Sequence, residues 1–120
     1  LLGKTSGEIQ KNRKEVAVKM AQFFKCIVVL KGAETIVADA EGQIYLNQTG
    51  NPGMATPGAG DVLTGMIVGL AAQKISAWEA TVSGVFLHGM AGDLAAKEKG
   101  EYGMISSDIV EKIPDAILKI

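Results

Sequence analysis

The sequence has only one cysteine, Cys26, which opens the apolar run CIVVL. One thiol excludes a disulfide framework within this chain and a metal site built from paired cysteines. Lysine and arginine number 12, and aspartate and glutamate 13. The net charge of −1 therefore provides no basic field for nucleic acid or an anionic membrane. No apolar run reaches the roughly 18 residues of a membrane span, and the first residues do not resemble a signal peptide. We therefore expect a cytoplasmic protein.

Two familiar phosphate-binding motifs are also missing. The chain has no GxxxxGK[ST] loop, and Gly58-Ala59-Gly60 is followed by an aspartate, so it is not a dinucleotide fingerprint. What the chain has is GNPGMATPGAGDVLTG, which runs from Gly50 to Gly65 and contains five glycines and two prolines. Glycine allows the backbone to approach a ligand closely and to adopt positive φ. This composition indicates a binding loop.

The Gly-rich loop leads directly into an amphipathic run, so its last residues are predicted to begin a helix. The first amides of a helix have no intrahelical partner and act as donors to anions. Gly58, Ala59 and Gly60 are therefore candidate phosphate donors. Asp61 beside them is a candidate acid/base group for a reacting hydroxyl. The alternative is an ordinary acid favoured by the positive end of the helix dipole.

The remaining pattern predicts an α/β chain in the order helix, strand, hairpin and three helices. Ser76 is a candidate N-cap, and Pro114 is expected to break or restart the last helix. The continuously apolar first strand suggests burial on both faces, as in a parallel sheet, with Cys26 as a packing group. The predicted helices are Lys11–Phe24, Val62–Leu70, Ala77–Lys97 and Ser107–Ile120, and the predicted strands are Cys26–Leu30, Thr35–Ala38 and Gln43–Leu46.

The length of 120 residues suits one domain at most. Three strands without a series of βαβ units make an incomplete sheet, and the first residue is Leu1 rather than methionine. We therefore expect this chain to be part of a longer protein. Alone, it is expected to expose an apolar sheet edge and face and to aggregate or stay partly molten.

Three separated blocks resemble the ADP- or ATP-dependent NAD(P)H-hydrate dehydratases of the ribokinase-like superfamily. They are the Gly-rich stretch from Asn51 to Gly65, VLKGAETIVA from Val29 to Ala38, and FLHGMAGDLAA from Phe86 to Ala96; the later Ser107-Asp108 also fits. The resemblance is collinear and covers nearly the whole chain. It implies a three-layer α/β/α sandwich, of which residues 1–120 are the C-terminal portion of a single domain whose N-terminal part is absent from this chain.

The resemblance also implies the chemistry. Asp61 would orient the added hydroxyl of hydrated NADH or NADPH for attack on the terminal phosphate of ADP or ATP, with Mg²⁺, and the amides of Gly58, Ala59 and Gly60 would stabilise the transferred group. Loss of phosphate would regenerate the cofactor. Asn51 joins Asp61 as substrate-binding. The implied nucleotide-binding residues are Lys31, Gly32, Ala33, Glu34, Thr35 and Gly60. The implied partners are the N-terminal segment of the same protein and further copies in a homo-oligomer.

Some residues depart from the family or have a plainer interpretation. Pro57 stands where relatives have glycine or alanine, which removes one amide donor and stiffens the loop. Without the family match, Lys31 could equally be a solvated lysine in a turn. His88 is interpreted as a satisfied packing residue and Asp93 as an acid on the helix surface or in a packing network.

Two other functions remain open from the sequence. One keeps the fold and changes the substrate, giving a vitamin or sugar kinase. The other is a non-catalytic nucleotide-binding or assembly module. No dedicated carboxylate cage for a metal ion is visible in the sequence.

Overall fold

The computed structural model describes residues 12–120. The predicted helix start at Lys11 lies outside these residues. The chain divides into two compact units, Leu1–Leu46 and Asn47–Ile120, and each is described by itself. Within residues 12–120, no helix is long and apolar enough to cross a membrane.

The first unit is a helix on a three-stranded sheet. Helix α1 spans Arg13–Phe24, and the strands are β1 (Val28–Leu30), β2 (Ile36–Ala38) and β3 (Ile44–Leu46). The sheet order is β1-β2-β3, and both pairings are antiparallel. The predicted hairpin of β2 and β3 is thus confirmed.

The core of the first unit lies between one face of α1 and the central strand. Ala17 and Ala21 are fully buried and pack with Ile36 and Ala38 of β2. The small alanine side chains allow the helix to approach the sheet closely. Every residue of β2 is buried because this strand has a neighbour on each side.

The prediction for β1 was wrong in two respects. Its residues are only partly buried, and within residues 12–120 its one neighbour is the antiparallel β2. A short, continuously apolar run does not reveal whether its strand is central or peripheral, because no alternation marks a solvent face. Cys26 is exposed and precedes β1, so the packing role predicted for it was also wrong.

The second unit is a 3₁₀ turn followed by three helices. The turn spans Pro52–Met54, and the helices are α2 (Ala59–Ala71), α3 (Ala77–Lys99) and α4 (Ser106–Ile117). Helix α3 packs against both α2 and α4. The core residues come from all three helices and the α3–α4 connection: Ala59, Leu87, Ala91, Ala95, Met104, Ile109 and Ala116.

The start of α3 follows the sequence prediction, and the helix runs two residues beyond the predicted end at Lys97. Ser76 caps the helix in a capping box. Its hydroxyl accepts from the Glu79 amide, and the Glu79 carboxylate accepts from the Ser76 amide. A Cβ atom added at Gly84 would lie 2.7 Å from the Ile67 side chain, so this glycine allows close approach of α2. Gly84 therefore serves helix packing without interrupting α3.

The predicted break at Pro114 was wrong. Helix α4 continues through this proline. Proline lacks the amide that would bond to the carbonyl four residues earlier, that of Val110. Both Pro114 and Val110 are exposed, so water can satisfy that carbonyl and the helix tolerates the loss.

Candidate active site

The Gly-rich loop ends at Gly58, which has a left-handed backbone with φ of +87° and forms the N-cap of α2. Its carbonyl accepts hydrogen bonds from the amides of Asp61 at 3.0 Å and Val62 at 3.1 Å. A Cβ atom at this position would lie 2.8 Å from the Ser106 hydroxyl. Both the positive φ and the close contact require glycine here.

The three amides predicted to bind an anion differ in their availability. The amide of Ala59 donates to the carbonyl of Thr56 at 3.3 Å. Among residues 12–120, the amides of Gly58 and Gly60 have no backbone acceptor. Two of the three amides therefore remain free for an anionic group at the start of α2, and the third is held in a long turn hydrogen bond.

Asp61 lies in the first turn of α2 and is exposed. Its side chain makes no ion pair with any residue of the described part. Three residues further on, the hydroxyl of Thr64 donates to the carbonyl of Gly60 at 3.0 Å, which reinforces the first turn. The helix thus holds the backbone of Asp61 in place while its carboxylate stays accessible. A group that orients a substrate hydroxyl needs both properties.

Asn51, predicted to bind substrate, is occupied by one contact within the loop and one to α3. Its Nδ2 donates to Oδ1 of Asp93 at 3.0 Å, and its Oδ1 accepts from the amide of Gly53 at 3.0 Å. The other oxygen of Asp93 accepts from the amide of Gly50 at 2.9 Å. The interpretation of Asp93 as a packing-network acid is confirmed.

The interpretation of His88 as a satisfied packing residue is confirmed too. The ring is 9 % exposed, and its Nε2 lies 2.9 Å from the carbonyl oxygen of Ala59. Because a carbonyl only accepts, Nε2 carries the proton. The sequence did not show that this histidine holds the backbone of the GAGD segment itself.

The KGAET segment, from Lys31 to Thr35, forms the connection between β1 and β2 in the first unit. Gly32 has φ of +141° and Glu34 has φ of +54°, so the loop is tightly bent. The Thr35 hydroxyl donates to the carbonyl of Gly32 at 3.1 Å. Lys31 is exposed, as both a nucleotide-binding and a solvated lysine would be.

Arg13 contacts this loop, although the sequence analysis did not identify it as a site residue. Its guanidinium donates to the carbonyls of Leu30 at 3.0 Å and Lys31 at 3.2 Å, and also to that of Ala33. It is the only arginine in the chain. A single arginine could have been singled out on that ground alone. Its partners could not be predicted, because they are main-chain carbonyls, which every residue has.

Asp108 of the terminal Ser107-Asp108 block has a structural role. Its Oδ1 lies 2.5 Å from Nζ of Lys99, and its Oδ2 accepts from the amide of Ile105 at 2.8 Å. The hydrogen bonds from Lys99 and Ile105 lower the pKa of Asp108, and the same ion pair raises the pKa of Lys99. The carboxylate thus ties the end of α3 to the start of α4.

Comparison with known proteins places these segments in one family. A family model described as NAD(P)H-hydrate dehydratase matches residues 1–115. The chain belongs to the NAD(P)H-hydrate dehydratase family. The resemblance seen in the sequence is thereby confirmed.

Individual relatives agree with this assignment. The chain is 48 % identical over 114 residues to the bifunctional NAD(P)H-hydrate repair enzyme Nnr of Moorella thermoacetica, covering 95 % of this chain and 22 % of that protein. It is 41 % identical over 110 residues to the ADP-dependent (S)-NAD(P)H-hydrate dehydratase of Neisseria meningitidis, covering 91 % and 37 %. The chain therefore spans between about a fifth and two fifths of the length of these curated relatives.

The solved structures confirm the α/β fold class. The ADP/ATP-dependent NAD(P)H-hydrate dehydratase of Bacillus subtilis, co-crystallised with ATP and Mg²⁺, matches with a TM-score of 0.94 and 32 % identity. That match covers 98 % of this chain and 43 % of the other. A ribokinase-like superfamily protein of Enterococcus faecalis matches with a TM-score of 0.76 and 32 % identity over 92 % of this chain and 38 % of its own. The fold is ribokinase-like.

Proposed function

We propose that this chain belongs to an enzyme that dehydrates hydrated NADH or NADPH at the expense of ADP or ATP. The observation that carries the proposal is the start of α2. There the exposed carboxylate of Asp61 adjoins Gly58 and Gly60, whose amides have no backbone acceptor among the described residues. Family membership supplies the substrate class, because the relatives are named for NAD(P)H-hydrate repair.

The proposed reaction has two steps. The hydroxyl of the hydrated nicotinamide ring, oriented by Asp61, attacks the terminal phosphorus of the nucleotide and loses its proton. The nucleotide leaves with one phosphate fewer. The ring carbon–oxygen bond then breaks, phosphate departs, and a ring proton is lost, which restores the dihydronicotinamide. A transition state of this kind needs positioning and charge stabilisation more than a strong base.

Nucleotide binding is proposed for the KGAET loop, Lys31 to Thr35, together with Gly60. The loop fits this role because Arg13 and Thr35 hold its backbone in one bent shape while the Lys31 side chain stays exposed. Preformed loops cost less entropy on binding. In the full-length protein, Lys31→Ala should weaken ADP and ATP binding. Unchanged affinity would make Lys31 a solvated turn residue.

The proposed Mg²⁺ is the one that accompanies the nucleotide, since Mg²⁺ in such sites is bound largely through substrate phosphates and water. Residues 12–120 bring together no group of three or more histidine, cysteine, aspartate or glutamate side chains that would hold a metal ion. We therefore assign no residue of this chain as a metal ligand.

We further propose that residues 1–120 are the C-terminal part of a single ribokinase-like domain, completed by an upstream segment of the same protein in the cytoplasm and assembled as a homo-oligomer. Large apolar side chains exposed on the second unit support a covering partner segment. They are Val68, Ile105, Val110, Ile117, Leu118 and Ile120. A soluble, cooperatively unfolding monomer of these 120 residues alone would contradict this proposal.

The deciding experiment uses the full-length protein with hydrated NADH and either ADP or ATP. Near-ultraviolet absorbance of NADH and release of phosphate are followed together. Both signals should rise in step and should vanish in Asp61→Asn. Nucleotide binding without either signal would favour a kinase or a non-catalytic module, and a stable phosphorylated alcohol would identify the kinase.

A further inference from the structure

One face of α3 contacts the Gly-rich loop at several points. The face is formed by His88, Gly89, Gly92 and Asp93, whose spacing of one, four and five residues places them together on a helix. A Cβ atom at Gly89 would lie 2.1 Å from the Thr49 hydroxyl, and one at Gly92 would lie 2.3 Å from the Met54 sulfur. The loop therefore lies directly against the backbone of α3.

Asp93 is the charged group of this face, and both of its oxygens are used. They accept from the amide of Gly50 at 2.9 Å and from Nδ2 of Asn51 at 3.0 Å. Asn51 in turn accepts from the amide of Gly53. Hydrogen bonds to an ionised acceptor are roughly twice as strong as neutral ones. The carboxylate thus fixes the upstream end of the loop and, through Asn51, the 3₁₀ turn.

The downstream end of the same loop is fixed by the same helix. His88 donates to the carbonyl of Ala59, which immediately precedes the Gly60 amide and Asp61. The segment between the two anchors contains Gly58, whose backbone sets the direction of the free amides. Two contacts from one rigid helix therefore set where the loop begins and where it ends.

We infer that Asp93 is a positioning residue, which acts through Gly50 and Asn51 to hold the Gly-rich loop in the geometry needed for reaction at Asp61. The inference rests on the proposed dehydratase function and adds a residue to it. No contact between Asp93 and the substrate or the nucleotide is part of the inference. A displacement of a reacting group by about 1 Å is enough to cost on the order of a hundredfold in rate, so an indirect anchor can control turnover.

The test uses a substitution that conserves shape. In the Asp93→Asn variant, one acceptor becomes an NH₂ group, and two donors then face each other at either Gly50 or Asn51. The double variant Asp93→Asn with Asn51→Asp restores one acceptor for every donor, including the Gly53 amide, and leaves the net charge unchanged. Asp115→Asn is the matched control, because Asp115 is exposed and its one ion pair within residues 12–120 is to Lys112, at 3.4 Å.

The first readout is hydrogen–deuterium exchange of the peptide covering residues 47–60 in the full-length protein. Exchange of the Gly50 and Gly53 amides should be about tenfold faster in Asp93→Asn, since one charge-assisted hydrogen bond is lost, and should return to within about threefold of wild type in the double variant. Unchanged exchange in Asp93→Asn, or no recovery in the double variant, would overturn the inference.

The second readout separates positioning from simple stability. In Asp93→Asn, kcat for dehydration should fall by about tenfold or more while the Kd for ADP stays within about threefold, because the KGAET loop, which carries most of the proposed nucleotide contacts, is not disturbed. A full kcat in the presence of a loosened loop would also overturn the inference. A wild-type protein that does not dehydrate the substrate would instead overturn the proposed function, and the exchange comparison would still decide whether Asp93 holds the loop.

Discussion

The guanidinium of Arg13 donates a hydrogen bond of 3.2 Å to the main-chain oxygen of Lys31. A second hydrogen bond of 3.0 Å reaches the carbonyl of Leu30, and a third reaches Ala33. One side chain at the start of α1 thus holds two carbonyls of the β1–β2 loop and a third at the end of β1. Such loops are mobile unless their backbone groups are bound.

Replacing Arg13 should therefore weaken nucleotide binding without removing any nucleotide contact. Arg13→Lys keeps the charge but not the planar fork that reaches several carbonyls, so we expect the Kd for ADP to rise by about tenfold, close to the strength of one charge-assisted hydrogen bond. Calorimetric titration of the full-length protein checks this. Lys14→Ala, which removes an exposed neighbouring cation, should leave Kd unchanged. Equal losses in both variants would mean that the hydrogen bonds of the Arg13 guanidinium are not the cause.

Asp61→Asn should cost far more in turnover than in affinity. The amide keeps the size of the carboxylate but loses the charge that orients the substrate hydroxyl, whereas the Gly58 and Gly60 amides remain. We expect kcat to fall well beyond tenfold, a change of about 1.4 kcal/mol in the barrier, with little change in nucleotide Kd. Steady-state kinetics and titration of the same preparation measure both. Turnover within tenfold of wild type would remove Asp61 from the mechanism.

The close approach of α3 to the loop predicts strong intolerance at Gly89. An added methyl group would meet both the hydroxyl and the main-chain carbon of Thr49, at 2.1 and 2.7 Å. We expect Gly89→Ala to lower the free energy of unfolding by about 1–3 kcal/mol, the usual cost of overpacking. Urea denaturation of the full-length protein measures this change.

Gly69 in α2 provides the matched control, because within residues 12–120 an added Cβ would have no atom within 4 Å beyond its chain neighbours and the adjacent backbone of its own helix. Alanine is intrinsically better than glycine inside a helix by about 1 kcal/mol, so Gly69→Ala should leave stability unchanged or raise it. A similar loss at both positions would mean that the Thr49 contact is not the cause.

The ion pair between Asp108 and Lys99 predicts a pH dependence of stability. The pKa of Asp108 is lowered from its ordinary 3.8 by the hydrogen bonds from Lys99 and Ile105. Stability from this group is therefore present above pH 3.8 and is lost as the pH falls through the lower folded-state pKa. The pKa of Lys99 is raised from 10.5. The stability that Lys99 contributes is therefore present below pH 10.5 and is lost as the pH rises through its higher folded-state pKa.

Melting temperatures of the full-length protein across this range test the pair. Asp108→Asn retains an oxygen for the Ile105 amide but loses the charge. Its Tm should lie below that of wild type at neutral pH. The two Tm values should begin to converge only below pH 3.8 and should meet once the pH is below the lowered folded-state pKa of Asp108. A gap that persisted unchanged into acid would assign the loss to packing. Asp115→Asn should show little gap at any pH.

Much of the fold could be predicted because its signals are local. The period of Val62, Leu63 and Met66 predicted α2, and Ser76 marked the start of α3. The misjudged features depend on what lies across space or in solvent. The apolar letters of β1 do not reveal that its residues are only partly buried, and the sequence around Pro114 does not reveal that Pro114 and Val110 are exposed.

The candidate site divides in the same way. Asp61 and its neighbouring glycines form a contiguous motif, so they could be recognised, although the hydrogen bond from Ala59 to Thr56 could not. Arg13 contacts main-chain oxygens 17 to 20 positions away, and Asp93 contacts a loop more than 40 positions earlier. Contacts of such separation with backbone groups leave no pattern in a single sequence.

The exposed thiol of Cys26 has a practical consequence. It is the only sulfhydryl in the chain, and it precedes β1 without filling a buried position. A maleimide fluorophore or spin label attached there would displace no core side chain. In a full-length protein whose other cysteines, if any, have been replaced, such a probe would mark the first unit alone. Its signal could then follow motion of that unit as a nucleotide is added, independently of turnover.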